Sequence, residues 1–379
     1  MSENPVEVSI VIPCLNEEKT LPIVIKKSLL AFERLKIKGE VIVADNGSTD
    51  KSVELAKKMG ARVIHCSKKG YGNALRRGFE KARGKFLIMG DADDSYNFLQ
   101  IEGFVDNLRK GYDFVIGSRL RGRIEKKAMP FLHRYLGTPV LSLVLNLFFG
   151  TNISDCNCGM RGITKKAFEK MNLVAGGMEF ASEMVIKAGI LNMKIKEIPI
   201  PFYRDKRDRP PHLNTWSDGW RHLRFMLIYA PNSVFIWPGL ILFLVGTVLI
   251  FIQTNKPFIW GPIFIDIHSM ILGLTFSILG LSILQMGLII KLFSHLSAYY
   301  EKDNEIAFLE KFSLEKGIII GGLIFLIGTV IDGHILLKWI NNGFHNLSMA
   351  RPAILGLYFI FIGASLVFFS LLKETMRRD

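Results

Sequence analysis

Four apolar stretches near the C-terminus constrain this chain most. Ser233–Gln253, Ile267–Ile290, Gly317–Leu337 and Ala353–Leu372 each approach the ~20 residues a helix needs to cross a bilayer. They hold almost no charge, apart from Asp332 and His334 near the end of the third, where capping or snorkelling is expected. Four such stretches in series argue against core helices of a soluble fold. An all-α, four-helix transmembrane domain over residues 233–379 is expected.

The basic residues orient it. Arg221 and Arg224 precede the first span, Lys291, Lys302, Lys311 and Lys316 lie between the second and third, and Lys373, Arg377 and Arg378 follow the fourth. The other face has only Lys256, Lys338 and Arg351. This bias places both termini in the cytoplasm and the chain in the cell membrane.

The rest of the chain differs. Residues 1–230 carry 38 basic and 25 acidic side chains, against 10 and 9 in residues 231–379. Apolar residues are 49% of the whole, which excludes a disordered chain. The four cysteines, Cys14, Cys66, Cys156 and Cys158, are too few for a disulfide scaffold. Cys156 and Cys158 have no second ligand pair nearby, so packed thiols are favoured over zinc. The polar N-terminus runs straight into a strand pattern and lacks a signal peptide, which also places this region in the cytosol.

Short β-branched runs alternate with helical spacing. Val8–Pro13, Glu40–Ala44, Ala61–His65, Lys85–Met89 and Asp113–Gly117 read as strands. Leu21–Leu35, Ser52–Met59, Asn73–Ala82 and Ile101–Lys110 read as helices. Such alternation predicts an α/β fold with a mostly parallel sheet over residues 1–210. Ligands of these sheets lie beyond the carboxyl ends of the strands. Glu17, Asp45, Asp91 and Asp93 fall there. Asp91-Ala92-Asp93 offers two carboxylates to a divalent cation on a diphosphate, as Mg²⁺ prefers. A turn or helix cap would also use Asp in these positions.

The motifs, taken together, resemble glycosyltransferase family 2. They are Val11–Glu18, Ala44–Asp50, Lys69–Ala74, Asp91–Asp93, Gly117–Arg119, Asp155–Arg161 and Glu197–Pro201 followed by Arg204. Their order is similar to the polyprenyl-phosphate branch, typified by dolichyl-phosphate mannose synthase. The resemblance implies a GT-A fold, Rossmann-like, and a nucleotide-sugar donor. Pro13, Asn16, Glu17 and Asp45 would line the nucleoside pocket, with Asp45 accepting from the base. Lys69, Gly70 and Asn73 would approach the nucleotide, and Asp91, Ala92 and Asp93 the diphosphate. Asp91 and Asp93 would hold Mg²⁺ or Mn²⁺. Ser95 stands where the branch often has Gln, so a third side-chain ligand is in doubt.

The acceptor is then a polyprenyl or dolichyl phosphate, already an anion at neutral pH and able to attack without a strong base. Positioning it calls for Arg and Lys. Arg119 and Arg204 are expected to face the reaction, with Arg123, Arg134 and Arg207 at the lipid phosphate. Attraction to anionic lipid accounts for Lys126 and Lys127. Nucleic-acid binding is excluded, because four spans already bind the basic face to a bilayer.

Pro130–Phe149 reads as an interfacial helix, with a fifth span as the alternative, and residues 211–232 as a second interfacial helix bearing Trp216 and Trp220. Glu179 and Glu183 contact the sugar or an Arg, or serve structure alone. Two functions compete with the leading one: transfer to diacylglycerol or a glycan, and glycolipid flipping with a regulatory nucleotide-binding domain. The sugar, the lipid length and the oligomeric state, a homo-oligomer included, are left open.

Overall fold

The computed structural model describes residues 5–206, 215–261, 263–296 and 304–377. It divides into two units, Met1–Tyr229 and Ala230–Asp379.

The first unit is an α/β fold. Its elements run β1 (Val8–Cys14), α1 (Leu21–Leu35), β2 (Gly39–Asp45), α2 (Ser52–Lys58), β3 (Arg62–His65), α3 (Tyr71–Lys81), β4 (Phe86–Met89), α4 (Glu102–Arg109) and β5 (Phe114–Ser118). Then come α5 (Thr138–Phe149), β6 (Arg161–Thr164), α6 (Lys165–Met171), α7 (Phe180–Ile190), β7 (Ile195–Pro199) and α8 (Thr215–Ile228). The seven strands form one sheet in the order β3-β2-β1-β4-β6-β5-β7. The five expected strands are all present, and β6 and β7 join them. Neither has a β-branched run longer than two residues: β6 is Arg-Gly-Ile-Thr, and β7 is an edge strand ending in Pro199, a position where a missing N–H costs no ladder bond.

Central strands β1 and β4 are apolar along their length because helices cover both faces. Strand order reverses between β1 and β4, which opens a crevice at their carboxyl ends. β6 runs antiparallel to β4 and β5, pairing Arg161 with Met89 and with Ile116. An antiparallel strand starts where its parallel neighbours end. The loop Asp155–Met160 is therefore delivered to the end of β4, beside Asp91.

A π-turn at His133–Gly137 leads into α5. Leu141, Ser142 and Leu145 of α5 are buried, whereas Leu136, Val140, Leu143 and Leu147 are exposed. Residues 131–149 form one continuous helical run, which is not among the helices of the described residues that are long and apolar enough to cross a membrane. On α8, Trp220 is exposed, Met226 is buried and Arg221 pairs with Glu179 at 3.4 Å. The side chain of Trp216 lies outside the described residues.

The second unit holds four helices long and apolar enough to cross a membrane: Asn232–Phe251, Ile267–His295, Leu314–Asn341 and Ala350–Met376. Their principal helices are α9 (Trp237–Phe251), α10 (Ile267–Leu296), α12 (Leu314–Asn341) and α13 (Ala350–Arg377). A hairpin, β8 (Phe258–Trp260) and β9 (Ile263–Ile265), joins α9 to α10, and α11 (Asn304–Lys311) lies between α10 and α12. Asp332 and His334 sit inside α12 and do not cap its end, because the helix runs on to Asn341.

Glycine seams pair these helices. A Cβ at Gly239 would fall 2.8 Å from the Gly280 carbonyl, and Gly246 faces Gly273 in the same way. In the other hairpin a Cβ at Gly321 would fall 2.8 Å from the Gly363 carbonyl, and one at Gly328 2.5 Å from that of Gly356. Between membrane helices, dispersion at such close approach replaces the hydrophobic effect. Thr247 bonds Tyr358 at 3.0 Å, Gln285 accepts from Ser365 at 2.8 Å, and Arg351 pairs with Asp266 at 2.5 Å.

Candidate active site

The site grows from the loops after β1 and β2. Pro13 ends the buried run of β1, paired with Ala44. Asn16 adopts φ +58°, a conformation Asn tolerates better than most residues. There its Oδ1 accepts from the Thr49 N–H at 2.8 Å, and its own N–H donates to Ser48 Oγ at 3.0 Å. Buried Glu17 donates its N–H to Ser52 Oγ at 2.8 Å and accepts from the Thr20 hydroxyl at 3.1 Å. The two loops therefore hold each other.

Asp45 closes the same turn. Its carboxylate accepts from the Gly47 and Ser48 N–H groups at 3.2 and 3.0 Å, and its Oδ2 lies 3.0 Å from His65 Nδ1. Burial pushes the carboxyl up, but hydrogen bonds from Ser48, His65 and Gly47 outweigh it and hold the value below the ordinary carboxylate range.

Asn46 was absent from the expected site residues, yet it ties in the nucleotide segment. Its Oδ1 accepts from the Gly70 N–H at 2.7 Å, its Nδ2 donates to the Lys68 carbonyl at 2.8 Å, and its own carbonyl accepts from Lys69 Nζ at 3.1 Å. Gly70 has φ +129°, and a Cβ there would strike the Gly176 carbonyl, so only glycine fits. Asn73 donates its N–H to that carbonyl at 3.1 Å. Pro13, Asn16, Glu17, Asp45, Lys69, Gly70 and Asn73 thus lie on or next to the interlocked loops that follow β1, β2 and β3.

Asp91 and Asp93 follow β4. Asp91 Oδ1 accepts from the Tyr71 hydroxyl at 3.0 Å. Burial, and then Asp91, push the Tyr71 phenol well above its ordinary value, so it stays a donor. Asp93 Oδ1 accepts from the Ser95 N–H and hydroxyl at 3.0 and 2.6 Å. Ala92 between them is buried. A Cβ at Gly159 would lie 2.8 Å from Asp91 Oδ2, so this glycine makes room for the carboxylate. Among the described residues no three His, Cys, Asp or Glu side chains form a metal cluster. Asp91 and Asp93 are the residues that would hold a Mg²⁺ or Mn²⁺, an ion that typically takes one or two carboxylates along with substrate phosphates.

The arginines divide. Arg119 is internal: its Nε and Nη2 donate to both oxygens of Asp155 at 2.8 Å, and its side chain is 11% exposed. Its guanidinium lies 5.1 Å from the Phe202 ring. Arg121 pairs with Glu197 at 3.1 Å. Arg123 and Arg204 are exposed on adjoining segments, where the Phe202 N–H donates to the Arg123 carbonyl at 2.9 Å. Arg134 is exposed on the π-turn, 5.2 Å from the Tyr135 ring. Arg207 lies outside the described residues.

Arg161 is fully buried and donates to backbone carbonyls: to those of Cys158 and Cys156 at 2.8 and 2.7 Å, and to that of Ala181. It fastens the Asp155–Met160 loop from behind. Glu183 accepts from the Val174 and Ala175 N–H groups at 3.0 and 2.8 Å, and burial pushes its carboxyl up. Tyr71, Asp155 and Arg161 were each inside quoted motifs, but their roles depend on contacts across long sequence separations.

Comparison with known proteins gives the family. Residues 9–171 match the family "Glycosyl transferase family 2", and residues 288–377 match "Glycosyltransferase family 2 C-terminal transmembrane region". The chain is 37% identical over 369 residues to the low-salt glycan biosynthesis hexosyltransferase Agl6 of Haloferax volcanii, covering 97% of this chain and 88% of that one. It is 28% identical over 200 residues to a dolichyl-phosphate hexose transferase of the same organism, covering 53% and 84%. Glucosyl-3-phosphoglycerate synthase from Mycobacterium tuberculosis, in complex with Mn²⁺, uridine diphosphate and its glucosyl product, matches with a TM-score of 0.47 and 21% identity, over 59% of this chain and 80% of that one. The full-length likeness to a hexosyltransferase, with a GT-A-like sheet in the first unit and four apolar helices in the second, places the chain in glycosyl transferase family 2, as a membrane glycosyltransferase.

Proposed function

We propose that this enzyme moves a hexose, with inversion, from a nucleotide sugar of the UDP-glucose or GDP-mannose type to a polyprenyl or dolichyl phosphate at the cytoplasmic face of the cell membrane. One observation carries the proposal. The basic segment after β7 crosses the donor motif directly: the Tyr203 N–H donates to the Ser95 carbonyl at 3.0 Å and the Lys206 N–H to that of Asp93 at 3.4 Å. The residues Arg204 and Lys206 thus lie on a segment whose main chain is hydrogen-bonded to Asp93 and Ser95. The likeness to a dolichyl-phosphate hexose transferase supports a lipid phosphate as the anion they meet.

The chemistry needs no base. A phosphate oxygen of the acceptor attacks the anomeric carbon, and the bond from that carbon to the nucleoside diphosphate breaks with its electron pair leaving on the diphosphate. Asp45 accepts from the base, and the Asn16, Glu17, Lys69, Gly70 and Asn73 loops hold the nucleoside and its phosphates. Asp91 and Asp93 would hold Mg²⁺ or Mn²⁺, which when bound neutralises charge on the leaving diphosphate. Arg204 and Arg123 orient the acceptor phosphate. Arg119 keeps Nη1 for a phosphate oxygen while Asp155 fixes its plane. Arg134 and Arg207 approach the lipid phosphate. The exposed apolar residues of the π-turn and α5, Leu136, Val140, Leu143 and Leu147, and Trp220 of α8 lie in the bilayer interface.

A transfer assay tests this. Purified protein receives Mg²⁺ or Mn²⁺, a short polyprenyl phosphate and radiolabelled UDP- and GDP-sugars in turn. Label should enter the lipid phase, and be lost on chelation and in Asp93→Ala. Nucleotide binding without transfer from any donor would overturn the acceptor, and would lead to diacylglycerol and glycan acceptors, then to lipid flipping.

A further inference from the structure

Asp94 follows the two donor-side carboxylates and differs from both. Its φ is +61°, and its side chain is 0% exposed. Oδ1 accepts from Lys27 Nζ at 2.5 Å, and Oδ2 accepts from Lys206 Nζ at 2.6 Å. Both oxygens are committed to ammonium groups, so this third carboxylate of the Asp91–Asp94 run is spoken for.

The two lysines come from different places. Lys27 lies on α1, on the side of the first βα unit. Lys206 ends the segment that leaves β7 and carries Arg204. That segment is laid over the donor motif by the Tyr203 and Lys206 N–H groups and by the Phe202 ring, 5.2 Å from that of Tyr96. It lies along residues 123–125 on its other side, where the Glu125 N–H donates to the Phe202 carbonyl at 2.9 Å and the Arg204 N–H donates to the Glu125 carboxylate at 2.8 Å. The one buried carboxylate bridges the two ammonium groups and so ties α1 to the segment after β7.

We propose that Asp94 is a positioning residue: through Lys206 it fastens the strap Phe202–Lys206, and with it Arg204, in register with the donor motif, while Lys27 balances its charge from behind. This rests on the lipid-phosphate reading above. Donor and acceptor sides are then joined by one ion pair across 112 residues of sequence.

The full chain in detergent tests it, with Lys206→Ala, Lys206→Arg and Lys27→Ala. Lys206 is 57% exposed on its side chain, so its loss should raise the acceptor KM by about fivefold, the range of a partly exposed pair, and leave the donor KM alone. Lys206→Arg should restore the wild-type value, and Lys27→Ala should leave the acceptor KM unchanged. Equal effects on both substrates, or of both lysines, would overturn the proposal by making the cluster merely structural. If wild type transfers nothing to polyprenyl phosphate, the acceptor reading falls by itself. The strap is then judged by hydrogen exchange at the amides of Phe202, Tyr203 and Lys206. Lost protection in Lys206→Ala but not in Lys27→Ala upholds it, and unchanged protection refutes it.

Discussion

Replacing Asp155 by Ala should cripple the first unit far more than deleting a surface carboxylate would. Asp155 is fully buried and accepts three hydrogen bonds from Arg119, from its backbone N–H at 3.0 Å and from Nε and Nη2 at 2.8 Å. Without it, a guanidinium 11% exposed on its side chain is left facing no anion. Breaking a buried pair from one side costs about 3–5 kcal/mol. For a unit of this size that lowers Tm by about 10 °C. Cys156 and Cys158 are buried next to the lesion, so a thiol-reactive dye that fluoresces on coupling follows unfolding in the detergent-solubilised chain. Removing both charges in Arg119→Met/Asp155→Leu should recover much of the loss, since no orphaned charge remains. The double variant should still be a poor transferase. If Asp155→Ala melts with wild type, or the double variant melts no higher than Asp155→Ala, the pair is not a buried unit and the argument fails.

Further outcomes follow from other contacts. Gly159→Ala puts a methyl 2.8 Å from Asp91 Oδ2, and by shifting that carboxylate should lower kcat/KM on the order of 100-fold with little change in Tm; an active variant would detach Asp91 from the chemistry. Burial pushes the Cys14 and Cys156 thiols up to about 11 and that of Cys158 to about 12, so native labelling by maleimide should find Cys66 alone, as peptide mapping would reveal. The depressed carboxyl of Asp45 stabilises the fold above its unfolded pKa of about 3.9 and stops doing so as pH falls through its lower folded value. The Tm gap between wild type and Asp45→Asn should therefore be full at pH 7 and close in acid. Gly246→Leu, which overpacks the α9–α10 seam at the Gly273 carbonyl, should cost about 1–3 kcal/mol or more, seen as earlier melting in detergent.

What could be seen in the sequence depended on range. Strands such as Val8–Pro13 and Lys85–Met89 are apolar because both faces are covered, and a local window suffices to find them. The Arg-Gly-Ile-Thr strand β6 gives no such signal, because its place is fixed by Met89 and Ile116 on either side. The site divides the same way. Asp45, Asp91 and Asp93 stand at strand ends and were legible there. Arg119 was expected to face the reaction, and what the sequence did not show is that its charge is matched by a residue 36 positions away that no spacing rule connects to it. Asp94 carries no local signal that sets it apart from Asp91 and Asp93. Its two lysines, 67 and 112 positions distant, give it a different task.

The glycine seams of the second unit carry a consequence for how the chain can change. Gly239 with Gly280 and Gly246 with Gly273 close one hairpin, and Gly321 with Gly363 and Gly328 with Gly356 close the other. In each, partners on a helix recur seven residues apart, two turns of helix, so main chain meets main chain twice along one line. A joint made from missing side chains is indifferent to the side chains on the opposite face. The outward Leu, Ile and Phe residues of α9 and α12 can thus be exchanged as bilayer thickness or lipid composition shifts, without loosening either pair. Each hairpin also brings both halves of its own joint, so the first can close while the second is still on the ribosome.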